Sequence, residues 1–362
     1  MRQALDLAER GWGTVSPNPM VGAVVVRDDR VVGRGWFEGP RGRPHAELNA
    51  LEEAGPLARG ATLYCTLEPC DHHGATPPCT EALIDAGVAR AVVAARDPNP
   101  VVDGRGFARL RDAGIEVTTG LLEDEARRLN AAFERHVTSG RPYVVLKSAS
   151  SLDGKTAATD GSSKWITSEP ARADGQRLRA WADAIVVGAR TAASDDPALT
   201  VRDERYASVR RPLRVVVDSR GRVPAGGALF DASAPTLVAT TDATPERRLA
   251  QWHAAGAEVA ILDRAASGGV SLSALLDELG KRDVQGLLVE GGATLAWSFV
   301  RDGLLDRIVM YLAPKLVGGA TAPGVLTGSG FAPIERALRL RFASVGAVGP
   351  DLKVEADVQR DR

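Results

Sequence analysis

The sequence is short of several features that other classes of protein need. Its 362 residues carry 45 lysines and arginines against 46 acidic residues, so it lacks the positive excess of a general nucleic-acid or membrane-surface binder. It has no apolar run of about 18 residues, which argues against a membrane span. Three cysteines are too few for a disulfide framework. What is present, 44% hydrophobic and 25% charged residues, is typical of a globular protein of two to three domains.

The N-terminal residues 1–10 alternate charged and apolar side chains. This pattern predicts an amphipathic helix rather than a signal peptide, and we therefore expect a cytoplasmic protein.

Potential soft metal ligands are concentrated in one short stretch of the chain. All three cysteines lie within fifteen residues, and three of the five histidines lie close to them. Random scatter would rarely produce such a cluster, whose members are His45, Cys65, Cys70, His72, His73 and Cys79.

Strand and helix patterns alternate along the whole chain, which predicts an α/β fold. In the first part we expect strands at residues 21–26, 31–36, 61–67 and 91–95 and helices at 45–54, 79–86 and 123–136. In the second part we expect strands at residues 143–146, 184–187, 213–217, 236–240, 259–262, 286–289 and 307–312. The helix at 45–54 should have Leu48 and Leu51 on one face. A boundary near residues 139–142 predicts two domains, 1–141 and 142–362.

Three residues have the chemistry and context of a catalytic zinc site. His45 opens a predicted helix, Cys70 follows a predicted strand, and Cys79 opens the next helix. Two thiolates and one imidazole fill three tetrahedral positions of zinc and leave the fourth for water, whose pKa zinc lowers to roughly 7. Glu47, two residues after His45, can carry a proton from that water to a leaving amine without binding the metal. His-x-Glu followed by Pro69-Cys70 and a second cysteine is the signature of the zinc deaminases, here with eight residues between the cysteines instead of two.

A structural zinc site is the alternative interpretation. It would need a fourth protein ligand, which His72 or His73 could supply. Cys65 alternates with apolar residues in its strand, so we interpret it as part of the core.

Six segments, distributed in order along the chain, resemble the bifunctional deaminase/reductase of riboflavin biosynthesis. They are residues 17–23, 67–79, 96–100, 146–155, 163–168 and 195–202. The resemblance implies a cytidine-deaminase-like α/β/α sandwich followed by a dihydrofolate-reductase-like α/β domain. It implies zinc-dependent removal of the 2-amino group from a diaminopyrimidinone that carries a ribosylamino 5′-phosphate. NADPH-dependent reduction of the ribosyl group to a ribityl chain would follow. We expect a homo-oligomer that acts on this small molecule, with no nucleic-acid or membrane partner.

The deaminase half departs from the family pattern at three positions. Ala75 stands where family members usually carry a basic residue, Phe37 where they often carry histidine, and Asp71 where a small polar residue is common. A missing cation should weaken binding of a phosphate-bearing substrate, because charge-assisted hydrogen bonds are the strong ones. Arg41 or Arg43 could substitute. We therefore keep open the hypothesis of a shifted or weak deaminase activity.

The second half has a strand-to-helix junction suited to a cofactor phosphate. A buried strand is expected to end at Glu290, and a helix to begin after Gly291-Gly292, where free N–H groups can face an anion. Alone this signal is weak, and no Gly-x-Gly-x-x-Gly fingerprint is present. The resemblance implies NADPH contacts at Ala149, Trp165, Thr191, Asp195, Ser219, Gly292, Ala293, Thr294 and Leu295. It implies substrate contacts at Asn18 and His72 in the first domain and at Ser163, Arg179, Leu199, Arg202 and Glu290 in the second.

Particular charged residues of the second half invite a chemical role. Arg179 and Arg202 suit the substrate phosphate, because a guanidinium can bind it bidentately. Lys147 is one of only six lysines, none of which precedes it, and it lies in an otherwise apolar strand. A salt bridge at the edge of the core is the simpler interpretation. Lys147 and Asp195, which we place in a turn after a strand, are candidate proton donors for the reduction.

Other functions remain open on the sequence alone. A paralogue could serve a related pyrimidine-derived secondary metabolite, a hypothesis motivated by Phe37 and Ala75. A nucleic-acid-editing deaminase is disfavoured by the neutral net charge and the low aromatic content. A non-catalytic scaffold with structural zinc would retain metal but not need Glu47.

Overall fold

The chain folds into two compact units. The computed structural model describes residues 1–39, 42–73, 77–207 and 211–360. The first unit is Met1–Arg141 and the second is Pro142–Arg362. None of the helices in the described ranges is long and apolar enough to cross a bilayer.

The first unit is a five-stranded sheet with helices packed against it. Its helices are α1 (Arg2–Ala8), α2 (Ala46–Ala54), α3 (Cys79–Asp85), α4 (Arg105–Asp112), α5 (Glu123–Leu129) and α6 (Ala131–Ser139). Its strands are β1 (Gly22–Arg27), β2 (Arg30–Trp36), β3 (Thr62–Leu67), β4 (Arg90–Ala95) and β5 (Glu116–Thr119). The expected hairpin, the N-terminal helix and the strand at 61–67 are confirmed.

Strand order decides where the functional loops of the first unit lie. The order is β2-β1-β3-β4-β5, with β1 antiparallel to β2 and β3, and β3, β4 and β5 parallel. The carboxyl ends of β3 and β4 therefore lie side by side at one edge. The loops that follow them, starting at residues 68 and 96, leave the sheet next to each other.

The packing face of α2 differs from the expected one. Leu48 and Leu51 are only half-buried, whereas Ala46, Ala50 and Ala54 form the buried face together with Glu47. The helix lies so close to β2 that a Cβ added at Gly35 would approach the carbonyl oxygen of Ala46 to 2.1 Å. Only small residues fit such an approach, so the leucines are displaced to the flanks.

The prediction of a single helix over residues 123–136 is wrong. The segment forms two helices, α5 and α6, which meet at Asn130. Its buried side chain accepts a hydrogen bond from the Met20 N–H at 2.7 Å and donates one to the Met20 carbonyl at 2.9 Å. These hydrogen bonds to a distant loop coincide with the break between the two helices. A break of this kind cannot be predicted from the spacing of apolar residues.

The second unit is built on a nine-stranded sheet. Its helices are α7 (Glu169–Trp181), α8 (Ala189–Asp195), α9 (Glu204–Ala207), α10 (Glu246–Ala254), α11 (Leu272–Gly280) and α12 (Ala293–Arg301). Its strands are β6 (Tyr143–Ser151), β7 (Ala184–Gly188), β8 (Leu213–Val217), β9 (Thr236–Thr240), β10 (Glu258–Ile261), β11 (Gly286–Glu290), β12 (Arg307–Ala313), β13 (Leu340–Val348) and β14 (Asp351–Val358).

The sheet order of the second unit creates a crevice at its centre. The order is β10-β9-β8-β7-β11-β6-β12-β14-β13, parallel from β10 to β12 and antiparallel at β14 and β13. Because β11 inserts between β7 and β6 although it comes much later in the chain, the connections diverge there. Ligands of open α/β sheets bind at the carboxyl ends of strands at such a switch point.

The sequence analysis missed β13 and β14. Most side chains of β13 are exposed, so the strand lacks the apolar run by which the central strands were recognised. By contrast Trp252 and Trp297 are buried, as expected for core residues of helices, and Trp181 is half-buried against the core.

Candidate active sites

The three candidate zinc ligands come together in the first unit. His45 caps the N-terminus of α2, Cys70 follows β3, and Cys79 is the first residue of α3. Their ligand atoms all lie within 4.8 Å of one another. The Nδ1 of His45 lies 3.1 Å from the Sγ of Cys79 and 3.6 Å from the Sγ of Cys70.

The donor set fits zinc. Bond lengths of about 2.1 Å to nitrogen and 2.3 Å to sulfur in a tetrahedron put these donors roughly 3.5 Å apart. Hydrogen bonding from Cys79 lowers the pKa of the Cys70 thiol, as a thiolate ligand requires. Among the described residues, neither His72 nor His73 belongs to the cluster, which therefore leaves a coordination position open. Cys65 is fully buried in the core, as expected.

Glu47 lies beside these ligands and faces the same cavity. Its side chain is 3% exposed, on the buried face of α2. Burial raises the pKa of Glu47 to about 7, and the neighbouring Cys70 adds to the effect. A carboxyl group with such a pKa can both accept and donate a proton at neutral pH.

A cavity of about 210 Å³ adjoins the cluster. Both substrate residues predicted for this unit, Asn18 and His72, line it. No hydrogen-bond partner of the buried Nδ2 of Asn18 is found within the described part of the chain. Sequence reasoning gave no role to Asp97 or Asn99, which also line the cavity. Both residues belong to the segment 96–100, which the sequence analysis used as evidence of the family resemblance and not to predict a site residue.

The three departures from the family pattern have different outcomes. The Phe37 ring lies edge-on to the imidazole of His45, with centroids 5.9 Å apart, and lines the cavity. Asp71 accepts a hydrogen bond from the Thr80 hydroxyl at 2.6 Å, which ties the loop to α3. Ala75 lies outside the described residues, as does Arg41, whereas Arg43 is exposed.

A second cavity, of about 270 Å³, lies at the switch point of the nine-stranded sheet. It brings together many of the predicted cofactor and substrate residues. These are Lys147, Ala149, Arg179, Thr191, Asp195, Leu199, Glu290, Gly292 and Ala293.

Other predicted residues of the second unit do not line this cavity. The exposed Trp165 ring lies under the Arg172 guanidinium, 4.4 Å from it. The Ser219 hydroxyl accepts a hydrogen bond from the Val270 N–H. The Leu295 side chain is buried in the core. The other three, Ser163, Arg202 and Thr294, are exposed.

The Arg179 guanidinium, which lines this cavity, is paired with a carboxylate. Its Nε and Nη2 donate to the two carboxylate oxygens of Glu290 at 2.9 and 2.6 Å, and its Nη1 donates to the Thr200 carbonyl at 3.0 Å. Burial would raise the pKa of Glu290, but the Arg179 guanidinium, aided by Lys147, lowers it to about 2. The two residues form a fixed, charged wall of the cavity.

Lys147 and Asp195 have different surroundings. Lys147 is the cross-strand neighbour of Glu290, and its ammonium lies 5.9 Å from the centre of the Tyr311 ring. Among the described residues it forms no ion pair, so the salt bridge considered as the simpler interpretation is not found. Asp195 ends the helix α8 rather than lying in a turn after a strand, and its exposed carboxylate accepts from the Ser194 hydroxyl.

Comparisons with known families agree with the two units. The zinc-binding region of cytidine and deoxycytidylate deaminases matches residues 1–95, and the RibD C-terminal domain matches residues 142–354. The riboflavin biosynthesis protein RibD of Bacillus amyloliquefaciens is 43% identical over 357 residues, or 98% of this chain and 95% of that protein. RibD of Escherichia coli is 43% identical over 362 residues, which cover 97% of this chain and 96% of that protein.

Solved structures give the same result. RibD of Acinetobacter baumannii, form 1, superposes with a TM-score of 0.86 at 38% identity, covering 99% of this chain and 98% of that one. A diaminohydroxyphosphoribosylaminopyrimidine deaminase/5-amino-6-(5-phosphoribosylamino)uracil reductase from Thermotoga maritima superposes with a TM-score of 0.86 at 36% identity, covering 99% and 97%.

Proposed function

The chain belongs to the RibD family of bifunctional deaminase/reductases of riboflavin biosynthesis, and from that premise we propose which of its residues perform each activity. The family expectation for fold and function is confirmed. The alternative of a secondary-metabolite paralogue is not favoured, because relatives named for riboflavin biosynthesis match nearly the whole chain. Domain limits of 1–141 for deamination and 142–362 for reduction are part of the proposal.

The first unit is proposed to deaminate 2,5-diamino-6-(5-phosphoribosylamino)pyrimidin-4-one. Zinc, held by His45, Cys70 and Cys79, would lower the pKa of a coordinated water to about 7. Water adds to C2 of the ring, and the amine leaves as ammonia. Glu47 takes a proton from the attacking water and delivers it to the departing nitrogen. Asn18 and His72 hold the substrate in the cavity. The observation that carries this proposal is the joint placement of the ligand cluster and the buried Glu47 carboxyl on one cavity.

The second unit is proposed to reduce the ribosyl group of the deaminated product. NADPH would supply the reducing equivalents, bound at the junction of β11 and α12 by Gly292, Ala293, Thr294 and Leu295. Additional predicted cofactor contacts come from Ala149, Trp165, Thr191, Asp195 and Ser219. Substrate contacts are assigned to Ser163, Leu199, Arg202 and Glu290. Arg179 is also proposed as a substrate contact, held in place in the cavity by its pairing with Glu290.

Lys147 and Asp195 are the proposed proton sources for the reduction. Both line the cavity, and the ammonium of Lys147 is a compact donor beside Glu290. The reduction needs a proton in addition to the hydride, and we assign the donation of that proton to one of these two groups.

One assay tests both assignments. The purified protein is given the diaminopyrimidinone phosphate with and without NADPH, and ammonia and NADPH oxidation are followed. We expect ammonia without NADPH, and NADPH oxidation only after ammonia release. NADPH oxidation before ammonia release would contradict the assigned order, and no ammonia would contradict the deaminase.

The proposed partner is a second copy of the chain, with no nucleic acid or membrane involved. Support comes from the edge strand β13, which exposes Leu340, Phe342 and Val345, with Phe342 72% exposed. Light scattering at micromolar concentration tests this, and a monomer mass would contradict it. A cytoplasmic location fits the need for NADPH and reduced thiols.

A further inference from the structure

Glu68 is a buried carboxylate with an unusual set of partners. It lies between the end of β3 and Cys70 and is 3% exposed. Its Oε2 accepts from the backbone N–H groups of Asp97 and Gly104 at 3.2 and 3.0 Å. Its Oε1 accepts from those of Gly106 and Phe107 at 3.0 and 3.4 Å. One side chain therefore satisfies four amides of a different segment.

These four amides lie at the two ends of the loop that follows β4, and this loop forms one wall of the deaminase cavity. The first belongs to Asp97, just after β4. The others belong to Gly104, the residue before α4, and to Gly106 and Phe107 in its first turn, where N–H groups have no partners within the helix. Between them lie Asn99 and Val102, which line the cavity with Asp97. Inside the loop, Asp97 accepts from the Asn99 N–H at 2.8 Å.

The approach of α4 to the metal-binding segment is very close. A Cβ added at Gly106 would lie 2.0 Å from the carbonyl oxygen of Pro69, the residue before Cys70. The same short segment, residues 68–70, thus holds the cavity loop through Glu68 and supplies a metal ligand through Cys70. Because Glu68 and Cys70 are only two residues apart, the position of the cavity loop is coupled to the position of the metal ligand.

A second tie of this loop, between Arg96 and Asp103, is more exposed. Arg96 donates to the Asp103 carbonyl at 2.6 Å and pairs with its carboxylate at 3.0 Å, but both side chains are 58% exposed. Exposed pairs are screened by water and salt, whereas hydrogen bonds to a buried charge are strong. Glu68 is therefore the principal anchor of the loop.

We propose that Glu68 is a positioning residue for deamination, which holds residues 97–107 so that Asp97 and Asn99 face the substrate. The inference rests on the proposed deaminase function. Glu68 itself lines the cavity, but both of its carboxylate oxygens accept from backbone N–H groups, so we assign to it no hydrogen bond to the substrate and no proton transfer. Loss of the anchor should therefore weaken substrate binding more than the chemical step.

The test compares Glu68→Gln, Glu68→Asp and the exposed matched control Glu52→Gln in the full-length zinc-loaded protein. Glu68→Gln keeps the shape of the side chain but turns an acceptor into a donor facing N–H groups. Hydrogen exchange of residues 96–107, zinc content, and KM and kcat for ammonia release are measured for each. NADPH oxidation with the deaminated substrate reports on the second unit.

We expect Glu68→Gln to speed exchange within residues 96–107 and to raise KM about tenfold, with kcat changed much less and zinc retained. Glu68→Asp keeps the charge and should restore part of both effects, and Glu52→Gln should match the wild type. Unchanged exchange and KM in Glu68→Gln would overturn the proposal. Zinc loss with faster exchange throughout the first unit would overturn it too, because Glu68 would then be a general stabilising residue.

The two failures are distinguishable. An active wild type with an unaffected Glu68→Gln variant refutes only the role of Glu68. A wild type that releases no ammonia refutes the proposed deaminase, and the positioning role falls with it.

Discussion

The two cavities of this protein collect their polar groups in opposite ways. In the first unit, His45, Glu47, Cys70 and Cys79 come from neighbouring segments and leave an open position toward the cavity. In the second unit, Arg179 and Glu290 are 111 residues apart and already satisfy each other. One site is thus completed by a metal, and the other is ordered by its own ion pair. Loss of the metal should affect only the first, and loss of the pair should affect the fold of the second.

Removal of zinc is expected to have the largest effect. Treatment with a chelator should abolish ammonia release, because Glu47 then has no activated water to deprotonate. NADPH oxidation with the deaminated substrate should persist, and added zinc should restore ammonia release. Parallel loss of both activities would show that the two sites do not differ as argued.

Substitution of Glu47 should separate metal binding from proton transfer. Glu47→Gln should lower kcat for ammonia release about 10³-fold, within the range for a general acid–base group. Metal analysis should find zinc unchanged, since Glu47 is not one of the three ligands. Glu52→Gln, on the exposed face of α2, serves as the control. Full activity of Glu47→Gln would favour a structural zinc site.

Breaking the buried ion pair should destabilise the second unit. Glu290→Ala leaves the Arg179 charge buried without its partner, and we expect a loss of about 3 kcal/mol in the free energy of unfolding. Glu258→Ala removes a largely exposed partner of Arg282 and should cost less than about 1 kcal/mol. Urea unfolding of both variants checks this, and equal losses would contradict the contrast.

The same pair should give the second unit a dependence on acid pH. The pKa of Glu290 falls from 4.5 to about 2 on folding, so the folded state favours the ionised carboxylate. Its stabilising contribution is therefore complete above about pH 4.5 and is lost as the pH falls toward 2. Between these values the wild type should lose stability more steeply than Glu290→Gln. Parallel curves would mean that the pair does not shift this pKa.

The smallest effect is expected at Phe37. Phe37→Leu removes the edge-on aromatic contact with His45 while leaving the residue apolar. We expect zinc affinity to fall by tenfold at most, because the contact orients a ligand without binding the metal. Competition with a chromogenic chelator measures this. A loss as large as that of a ligand substitution would mean that Phe37 is essential to the site.

The deaminase site could be predicted from the sequence because its chemistry is local. His45 and Glu47 are two residues apart at a helix start, and Cys70 and Cys79 adjoin elements that were predicted at the right places. The ligand types and their order were enough to predict a zinc site. The role of Glu68 could not be predicted, since its four partners are backbone amides without a side-chain signal.

The reductase site could be predicted only in outline. Central strands such as β7 and β11 are apolar and were found, and the junction at Gly291-Gly292 was located correctly. The pairing of Arg179 with Glu290 depends on α7 packing beside β11, a tertiary relation that no local pattern encodes. β13 was missed for a related reason, because its exposed side chains do not form an apolar run.

X-ray absorption at the zinc edge of the full-length protein tests the central claim most directly. A catalytic site held by His45, Cys70 and Cys79 should show two sulfur neighbours near 2.3 Å, one imidazole nitrogen near 2.0–2.1 Å and one light, non-imidazole neighbour. Two sulfurs with two imidazoles would mean that His72 or His73 closes the site, and would contradict a catalytic zinc in the first unit.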